Sequence, residues 1–130
     1  MSWQVMLHQQ FDLEFRSMHE DLQDELLAHA KLLEQFGAGL GRPTVDTLTG
    51  SRHTNMKELR FNWRKEVWRI AFCFDPGRRA ILLTAGDKRG ANPKRFYKKL
   101  IKVADDRYDG HLAAIKSVSS GKERGHGKKS

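Results

Sequence analysis

Two periodicities of hydrophobic positions divide the chain into helical and extended segments. After Ser17 the apolar residues recur at spacings of four, four and three, which places them on one face of an α-helix. These residues are Leu22, Leu26, Ala30 and Leu33. Ser17 and Glu20 fit a capping box, and Gly37 follows the last apolar position as a C-cap. The pattern therefore predicts a helix between Ser17 and Gly37.

Three later segments, residues 56–62, 67–74 and 79–86, have the composition and period of β-strands. The middle segment divides most clearly into two faces. One face holds Trp68, Ile70, Phe72 and Phe74, and the other holds Val67, Arg69, Ala71 and Cys73. Because the connections are short, the pattern predicts an antiparallel meander. Residues 3–7 predict a further short strand, and residues 10–16 a helical turn.

The C-terminal part of the chain predicts one more helix. Asn92 and Pro93 are an N-cap followed by proline at the first helical position, and apolar residues recur at helical spacing after them. Residues 117–130 contain serine, glycine and lysine and one large hydrophobic residue, which predicts a disordered basic tail. The expected architecture is α+β in a single domain, residues 1–116. N-terminal helices pack on a twisted antiparallel sheet of three to five strands, and a C-terminal helix follows.

The net charge of +8 over 130 residues is distributed unevenly. Residues 1–35 carry seven acidic and two basic groups, a net charge of −5. Residues 36–100 carry five acidic and fifteen basic groups, net +10, and residues 101–130 carry four and seven, net +3. A polyanion is therefore attracted to the middle of the chain, which favours nucleic acid as a partner over a solvated basic surface without a ligand.

Arg69 is the first candidate for chemistry. It lies in mid-strand between Trp68 and Ile70, and strand alternation places it on the face where Glu58 and Arg60 of the neighbouring strand point. An arginine at such a position requires an acidic partner or a ligand. Two interpretations remain open: a phosphate-binding arginine, or an Arg69–Glu58 ion pair that stabilises the sheet.

A second group of cations surrounds the start of the C-terminal helix. Lys88 and Arg89 lie at the junction between strand and helix, where the helix N-terminus itself attracts phosphate. Further cations follow along the first helical turns; these are Lys94, Arg95, Lys98 and Lys99. Tyr97 neighbours Phe96, which fits the apolar stripe better, so Tyr97 is a candidate for stacking on a base or for hydrogen bonding.

The remaining reactive side chains give weaker indications of a functional role. Arg52 and His53 lie in a basic loop, where His53 is a possible acid or base and a plain loop histidine is the simpler interpretation. Cys73, the single cysteine, predicts a buried reduced thiol. No His, Cys, Asp or Glu pair has the spacing of a metal site, so we expect neither metal nor cofactor. The absence of a long apolar run or an apolar leader predicts a cytoplasmic protein that does not contact the membrane.

Four stretches of the sequence together resemble a known family. They are Lys57-Glu58-Leu59-Arg60-Phe61, Val67-Trp68-Arg69-Ile70-Ala71-Phe72, Gly86-Asp87-Lys88 and Arg95-Phe96-Tyr97-Lys98-Lys99-Leu100-Ile101. In this order and at these spacings the chain resembles, over roughly residues 3–112, the phage-derived HigB-like branch of the RelE/ParE toxin superfamily.

The resemblance implies a compact α+β ribonuclease that cleaves mRNA, often on the ribosome, and a cognate antitoxin of the helix-turn-helix HigA-like kind. The family arginine that contacts the scissile phosphate maps onto Arg69. The basic residue after the glycine that ends the next strand maps onto Lys88 or Arg89, and a helix tyrosine maps onto Tyr97.

The resemblance does not assign the catalytic base to a single residue. Some relatives have lysines where this chain has Lys57 and Glu58. Glu58 is our first candidate for the base, with Asp46 and His53 as alternatives. We expect Arg69 to stabilise the phosphate with help from Arg60 and Lys88, while Tyr97 orients a base or the leaving group. The expected RNA-binding residues are Arg52, His53, Lys57, Arg89, Lys94, Arg95 and Lys98. The competing interpretation is a non-catalytic, phage-derived nucleic-acid-binding or regulatory module.

Overall fold

The computed structural model describes residues 3–90 and 92–129, with side chains described as far as Val118. Its elements are β1 (Gln4–Leu7), α1 (Gln9–Arg16), α2 (Glu20–Phe36), a 3-10 turn (Gly37–Gly39), β2 (Val45–Thr47), β3 (Met56–Trp63), β4 (Glu66–Phe74), β5 (Arg79–Asp87) and α3 (Pro93–Lys129). The predicted α+β class is confirmed, with two helices between β1 and the other four strands and one helix after them.

The five strands form one sheet in the order β1-β5-β4-β3-β2. The predicted antiparallel meander of β3, β4 and β5 is confirmed. Two features were not anticipated: β2 pairs antiparallel with β3, and β1 pairs in parallel with β5. A parallel pair needs a long crossover between its strands, and the rest of the chain from α1 through β4 provides it.

Strand alternation divides the core into two clusters, one on each face of the sheet. One cluster packs against α1 and α2, and its buried side chains include Phe11, Leu26, Leu33, Leu59, Ile70 and Phe72. The other packs against α3, and its buried side chains include Met56, Ala71, Cys73, Ile81, Leu83 and Ala104. The sheet therefore lies between two helical layers, and Cys73 is the buried thiol that the sequence predicted.

The predicted capping box at Ser17 is wrong, although the helix it was meant to begin is present. The first helical segment runs as far as Arg16, so Ser17 caps the end of α1, where its Oγ donates to the Glu14 carbonyl at 2.8 Å. The N-cap of α2 is His19, whose Nδ1 accepts from the Asp21 N–H at 3.1 Å. The four apolar positions predicted for the buried face of α2 are all buried.

Gly37 ends α2 as predicted. Its φ of 51° lies in the left-handed region, and its N–H donates to the Leu33 carbonyl. A Cβ at this position would overlap the Trp3 indole, so only glycine lets the N-terminal segment pass so close to the end of α2.

The C-terminal helix is continuous from Pro93 to Lys129. The predicted disordered tail, residues 117–130, overlaps its last turns, but the side chains of residues 119–130 and all of residue 130 lie outside the described residues. The division into a domain of residues 1–116 and a basic tail stays a prediction.

Candidate functional site

The sheet register brings Glu58, Arg60 and Arg69 together. Arg60 lies opposite Arg69 in the β3–β4 pair, and Glu58 lies opposite Ala71. Because alternate residues of a strand share a face, all three side chains start on the face covered by α3. The shared face predicted from the sequence is therefore present in the structure.

Tyr97 of α3 connects the two buried charged residues. Arg69 Nε donates to the Tyr97 hydroxyl at 2.6 Å, and that hydroxyl donates to Glu58 Oε1 at 3.0 Å. The direct distance between Arg69 Nε and Glu58 Oε1 is 3.7 Å. Arg69 is 3% exposed and Glu58 is 5% exposed. We refer to these three residues, Glu58, Arg69 and Tyr97, as the central cluster.

The environment of Tyr97 keeps its hydroxyl protonated. Burial raises the pKa of Tyr97 above its usual value of 10, and the nearby Glu58 carboxylate raises it further. At neutral pH the hydroxyl is therefore a hydrogen-bond donor, and its proton is directed at Glu58. Arg69 also donates from Nη1 to the Val67 carbonyl at 3.0 Å, which fixes the orientation of its guanidinium plane.

Two further cations border the central cluster. Arg60 Nε lies 3.9 Å from Glu58 Oε2. Lys88 Nζ lies 5.9 Å from the centre of the Tyr97 ring, which is within range for a cation–π contact. Lys88 follows β5 directly, whose Gly86 is the register partner of Arg69. The expected convergence of Arg60, Arg69 and Lys88 on one part of the sheet is thus observed.

A cationic cleft of about 320 Å³ opens beside Arg69. Its lining includes Lys65, Glu66, Arg69, Lys88 and Arg89. Arg89 belongs to this group as expected, but its Nη1 is paired with Glu66 Oε2 at 3.0 Å. Sequence reasoning missed Lys65, which lies at the tip of the β3–β4 hairpin. The sequence signal for Lys65 was the short connection between the predicted strands at 56–62 and 67–74, which places it at a hairpin tip.

The helix cations are exposed near the same end of the sheet. Lys94, Arg95 and Lys98 are exposed on the first turns of α3. Asn92 caps this helix as predicted, since its Oδ1 accepts from the Arg95 N–H at 3.2 Å. Arg95 lines a separate cleft beside β5, together with Gly86 and Phe96. These three cations can extend a path for polyanions away from the central cluster.

Arg52 and His53 are not brought to the central cluster. The Arg52 side chain contacts Asp106 and Asp109 of α3, and His53 Nε2 lies 2.7 Å from Asp109 Oδ1. Both residues line a cleft with Cys73, which lies four residues beyond Arg69, about 13 Å along the strand. In this structure the pair holds the loop before β3 onto α3.

The other proposed residues of β2 and β3 occupy different positions. Lys57 is opposite Phe72 and so begins on the face of α1 and α2, away from Glu58. Asp46 is the register partner of Glu58 across β2 and β3. A hydrogen bond from the Thr47 N–H, together with Arg42, lowers the pKa of Asp46. Asp46 therefore adds a second carboxylate to the face of Glu58, at the edge of the sheet.

Residues 3–90 and 92–129 provide neither a ready metal site nor a membrane-spanning helix. Within these ranges, no group of three or more histidine, cysteine, aspartate or glutamate side chains is arranged to hold a metal ion. In the same part of the chain, no helix combines the length and apolar character needed to cross a membrane.

The fold is that of a known structural class. The structure resembles that of a mutant of the Escherichia coli toxin RelE in the free state, with a TM-score of 0.53 and 9% sequence identity, over 78% of this chain and 95% of that chain. At this identity the likeness concerns the fold alone. The RelE-like fold expected from the sequence is confirmed.

Sequence comparison gives the family. The description "Phage derived protein Gp49-like (DUF891)" belongs to a family model that matches residues 13–109. This chain belongs to that phage-derived Gp49-like family, and its match contains the whole central cluster. The resemblance to the phage-derived HigB-like branch is confirmed.

Two Mycobacterium tuberculosis (strain ATCC 25618 / H37Rv) proteins are similar to this chain. "Putative toxin HigB2" is 47% identical over 95 residues, which are 72% of this chain and 46% of that protein. "Putative toxin HigB3" is 43% identical over 110 residues, which are 85% of this chain and 94% of that protein. The alignment thus spans about half of HigB2 and nearly all of HigB3.

Proposed function

We propose that this protein is the toxin of a type II toxin–antitoxin system and acts as a metal-independent mRNA endoribonuclease, with mRNA on the ribosome as its substrate. The observation that carries the proposal is the central cluster, in which a buried arginine is held by a tyrosine and a glutamate. The cationic cleft beside it supplies the charge that RNA requires. The family membership and the names of the two mycobacterial relatives, both putative toxins, support the toxin role within this proposal.

The proposed reaction uses the 2′-hydroxyl of the RNA as an internal nucleophile. Glu58 takes the proton of this hydroxyl, the 2′-oxygen bonds to the adjacent phosphorus, and the bond to the 5′-oxygen breaks. Arg69 stabilises the negative charge of the pentacoordinate phosphate, with Lys88 and Arg60 beside it. The 5′-oxygen takes a proton from solvent water as it leaves, and Tyr97 orients this leaving group or the base next to it. Positioning on the ribosome supplies much of the acceleration.

The partners follow from the same proposal. A cognate helix-turn-helix antitoxin of the HigA-like kind neutralises the toxin, and both proteins act in the cytoplasm.

Lys94, Arg95 and Lys98 add further phosphate contacts along the RNA, since they are exposed on the first turns of α3. Arg52, His53 and Lys57 lie away from the central cluster, so we assign them at most an outer part of the RNA path.

The decisive experiment is induced expression without antitoxin, followed by mapping of mRNA 5′ ends. We expect cuts at ribosome-occupied positions for the wild type. Arg69→Ala should reduce cleavage about 100-fold or more, because it removes the main phosphate-stabilising group. Arg69→Lys should keep the positive charge and part of the activity, because lysine cannot form the bidentate hydrogen bonds of a guanidinium.

Arg16→Ala is the matched control. Arg16 lies on α1 with 73% of its side chain exposed and pairs only with Asp12 four residues earlier. Its removal should leave cleavage unchanged. Full toxicity of Arg69→Ala at wild-type protein levels would contradict the proposed role of Arg69.

A non-catalytic binder remains the second candidate, and one observation favours it. Glu58 is 5% exposed and already engaged by Tyr97 and Arg69, as expected of a structural ion pair. Purified protein added to translating ribosomes separates the two candidates. Cleaved mRNA supports the nuclease, whereas stable binding to intact mRNA supports the binder.

A further inference from the structure

The outer edge of β3 is open beyond the point where β2 covers it. The register of β2 begins with Val45 opposite Leu59, and the last contact on this side is the Arg60 N–H donating to the Thr44 carbonyl at 2.8 Å. In an antiparallel strand, alternate residues direct their backbone groups to the same side. The N–H and carbonyl of Asn62 therefore face outward, at the side from which β2 is absent.

A cleft of about 390 Å³ lies at this open edge. Its lining includes His29, Thr44, Arg60, Asn62, Val67 and Arg69. Its volume falls in the range of small-ligand sites. Val67 and Arg69 line both this cleft and the cationic cleft described above. The two clefts are thus neighbours on either side of the proposed phosphate-binding arginine.

The walls of this second cleft offer both a flat surface and hydrogen-bonding groups. The His29 ring stacks on Phe61 at 5.0 Å between centroids and 24° between planes, and Phe61 is buried beneath it. Asn62 is exposed and carries an amide that both donates and accepts. Arg60 Nε is buried without a hydrogen-bond partner among the described residues. Because 37% of the Arg60 side chain is exposed, a rotation of this side chain can bring the group to an acceptor on a bound ligand.

We propose that this cleft binds a nucleobase of the RNA, one nucleotide away from the phosphate held at Arg69. Asn62 meets the polar edge of the base with its side-chain amide and its outward backbone groups. Arg60 contacts the base or its ribose, and His29 forms part of the flat wall. This inference rests on the proposed function, because it takes the phosphate position at Arg69 as its reference point.

The chemistry of the lining favours a base over a peptide side chain. A base presents a planar face together with an edge of alternating donors and acceptors. At the open edge of β3 the cleft offers the His29 ring from the face of α1 and α2, and the Asn62 amide from the face of α3. The neighbouring cationic cleft supplies the charge for the adjoining phosphate. A segment of a partner protein is the competing occupant, and the experiment below separates the two.

The test uses 2′-O-methyl trinucleotides, which bind without being cleaved, and the same trinucleotides with an abasic central residue. Titration into isotope-labelled protein follows the NMR signals of the Asn62 side-chain amide and the Arg69 Nε–H. We expect the base-containing trinucleotide to bind about tenfold more tightly than the abasic one. The Asn62 signals should shift only when the base is present, while the Arg69 signal should shift with both.

Asn62→Ala should remove most of the difference between the two ligands and leave abasic binding unchanged. Asn55→Ala is the matched control, since Asn55 is also an exposed asparagine but lines the cleft of Arg52 and His53. It should behave as the wild type.

Equal affinities with signals shifting only at Arg69 would overturn the base subsite and leave the phosphate site intact. Shifts at Asn62 caused by the antitoxin, with none caused by either trinucleotide, would also overturn it in favour of a protein partner. Base-dependent binding without cleavage of mRNA on ribosomes would support the subsite while contradicting the nuclease.

Discussion

Tyr97 contributes one hydroxyl that is shared by two charged residues. It accepts from Arg69 and donates to Glu58, so it bridges a cation and an anion whose Nε and Oε1 atoms lie 3.7 Å apart. Buried charges are stable only when their hydrogen-bonding capacity is met. The hydroxyl therefore affects both the stability of the sheet and the electrostatics of the proposed active site.

Tyr97→Phe should lower the free energy of unfolding by about 1–3 kcal/mol, because it leaves a buried carboxylate and guanidinium without their shared partner. It should also weaken RNA cleavage, since Arg69 loses the contact that orients it. Urea unfolding and mapping of mRNA 5′ ends measure the two effects.

Tyr108→Phe is the control on the same helix. The Tyr108 hydroxyl donates to the Phe74 carbonyl at 3.2 Å, near the opposite end of β4. Its removal should reduce stability and leave cleavage intact. Loss of activity in both variants would indicate that Tyr97 acts only by supporting the fold.

The sequence predicted some of these residues better than others. Arg69 and Glu58 could be placed on one face because strand alternation has a fixed period of two. Tyr97 could not be placed, because its position depends on the rotation of α3 against the sheet. The sequence suggested a choice between Phe96 and Tyr97 for the core, whereas both pack against the cluster beneath α3.

At the scale of elements, the β3–β4 hairpin carries an unusual turn. Arg64 and Lys65 both adopt positive φ, 49° and 67°. Tight hairpins of this geometry prefer Asn-Gly, because side chains with a Cβ are strained in the left-handed region. Arg64 contacts the Trp63 ring and Asp21, while Lys65 lines the cleft next to Arg69. The hairpin thus holds two cations in a strained conformation beside the proposed RNA path.

Replacement of this turn by Asn-Gly, Arg64→Asn with Lys65→Gly, should raise the free energy of unfolding by about 1 kcal/mol through relief of backbone strain. The same change should weaken RNA binding and reduce its dependence on salt, because cations near the phosphates are lost. Thermal unfolding and binding titrations at several salt concentrations measure the two effects.

Arg16→Gln with Lys31→Gln serves as the comparison, since it removes the same number of charges from α1 and α2. This pair should leave RNA binding almost unchanged. If both double variants weakened RNA binding equally, net charge rather than the position of the hairpin would explain the result.

Two carboxylates connect the C-terminal helix to the rest of the molecule. Asp75, which follows β4, contacts His111 of α3, and Glu14 of α1 contacts Arg107 of α3. Burial acts to raise the pKa of Asp75, but hydrogen bonds from His111 and Arg79 outweigh it and lower the pKa below 3.8. The hydrogen bond from Arg107 lowers the pKa of Glu14 below 4.5. A depressed carboxyl pKa contributes stability above the unfolded-state value, and this contribution is lost as the pH falls through the folded-state value.

The free energy of unfolding should therefore decrease as the pH falls from about 5 towards 2. Asp75→Asn should be less stable than the wild type at neutral pH and should lose less further stability on acidification. Urea unfolding at several pH values measures this. A wild-type curve that stayed flat below the usual carboxyl range would refute the role of these contacts.

Element boundaries show where sequence reasoning reached its limit. The long strands and α2 were predictable because several periods repeat within each. The three residues of β2 contain too few positions to show a period, and their strand conformation comes from pairing with β3. The parallel pairing of β1 is also a tertiary property, since it depends on where α1 and α2 return the chain.

At the scale of the whole molecule, the uneven charge has a structural counterpart. Within the acidic first 35 residues, net −5, β1 is an edge strand of the sheet, while α1 and most of α2 pack on one face of it. The cations of the middle segment, net +10, include those at the central cluster and at the start of α3. A polyanion such as the proposed RNA substrate is therefore attracted towards the end of the sheet where Arg69 lies, and repelled from the layer of α1 and α2.

The parallel pairing of β1 with β5 also bears on the order in which the molecule is completed during translation. Gln4 pairs with Arg79, and Leu7 with Leu82, so β1 leaves the ribosome long before its partner strand has been made. Contacts between such distant parts of a chain form late. The central cluster further needs Tyr97, which is synthesised after β5. A chain that is still being translated through the sheet consequently has no assembled central cluster, and the activity proposed for it can begin only after α3 has been made.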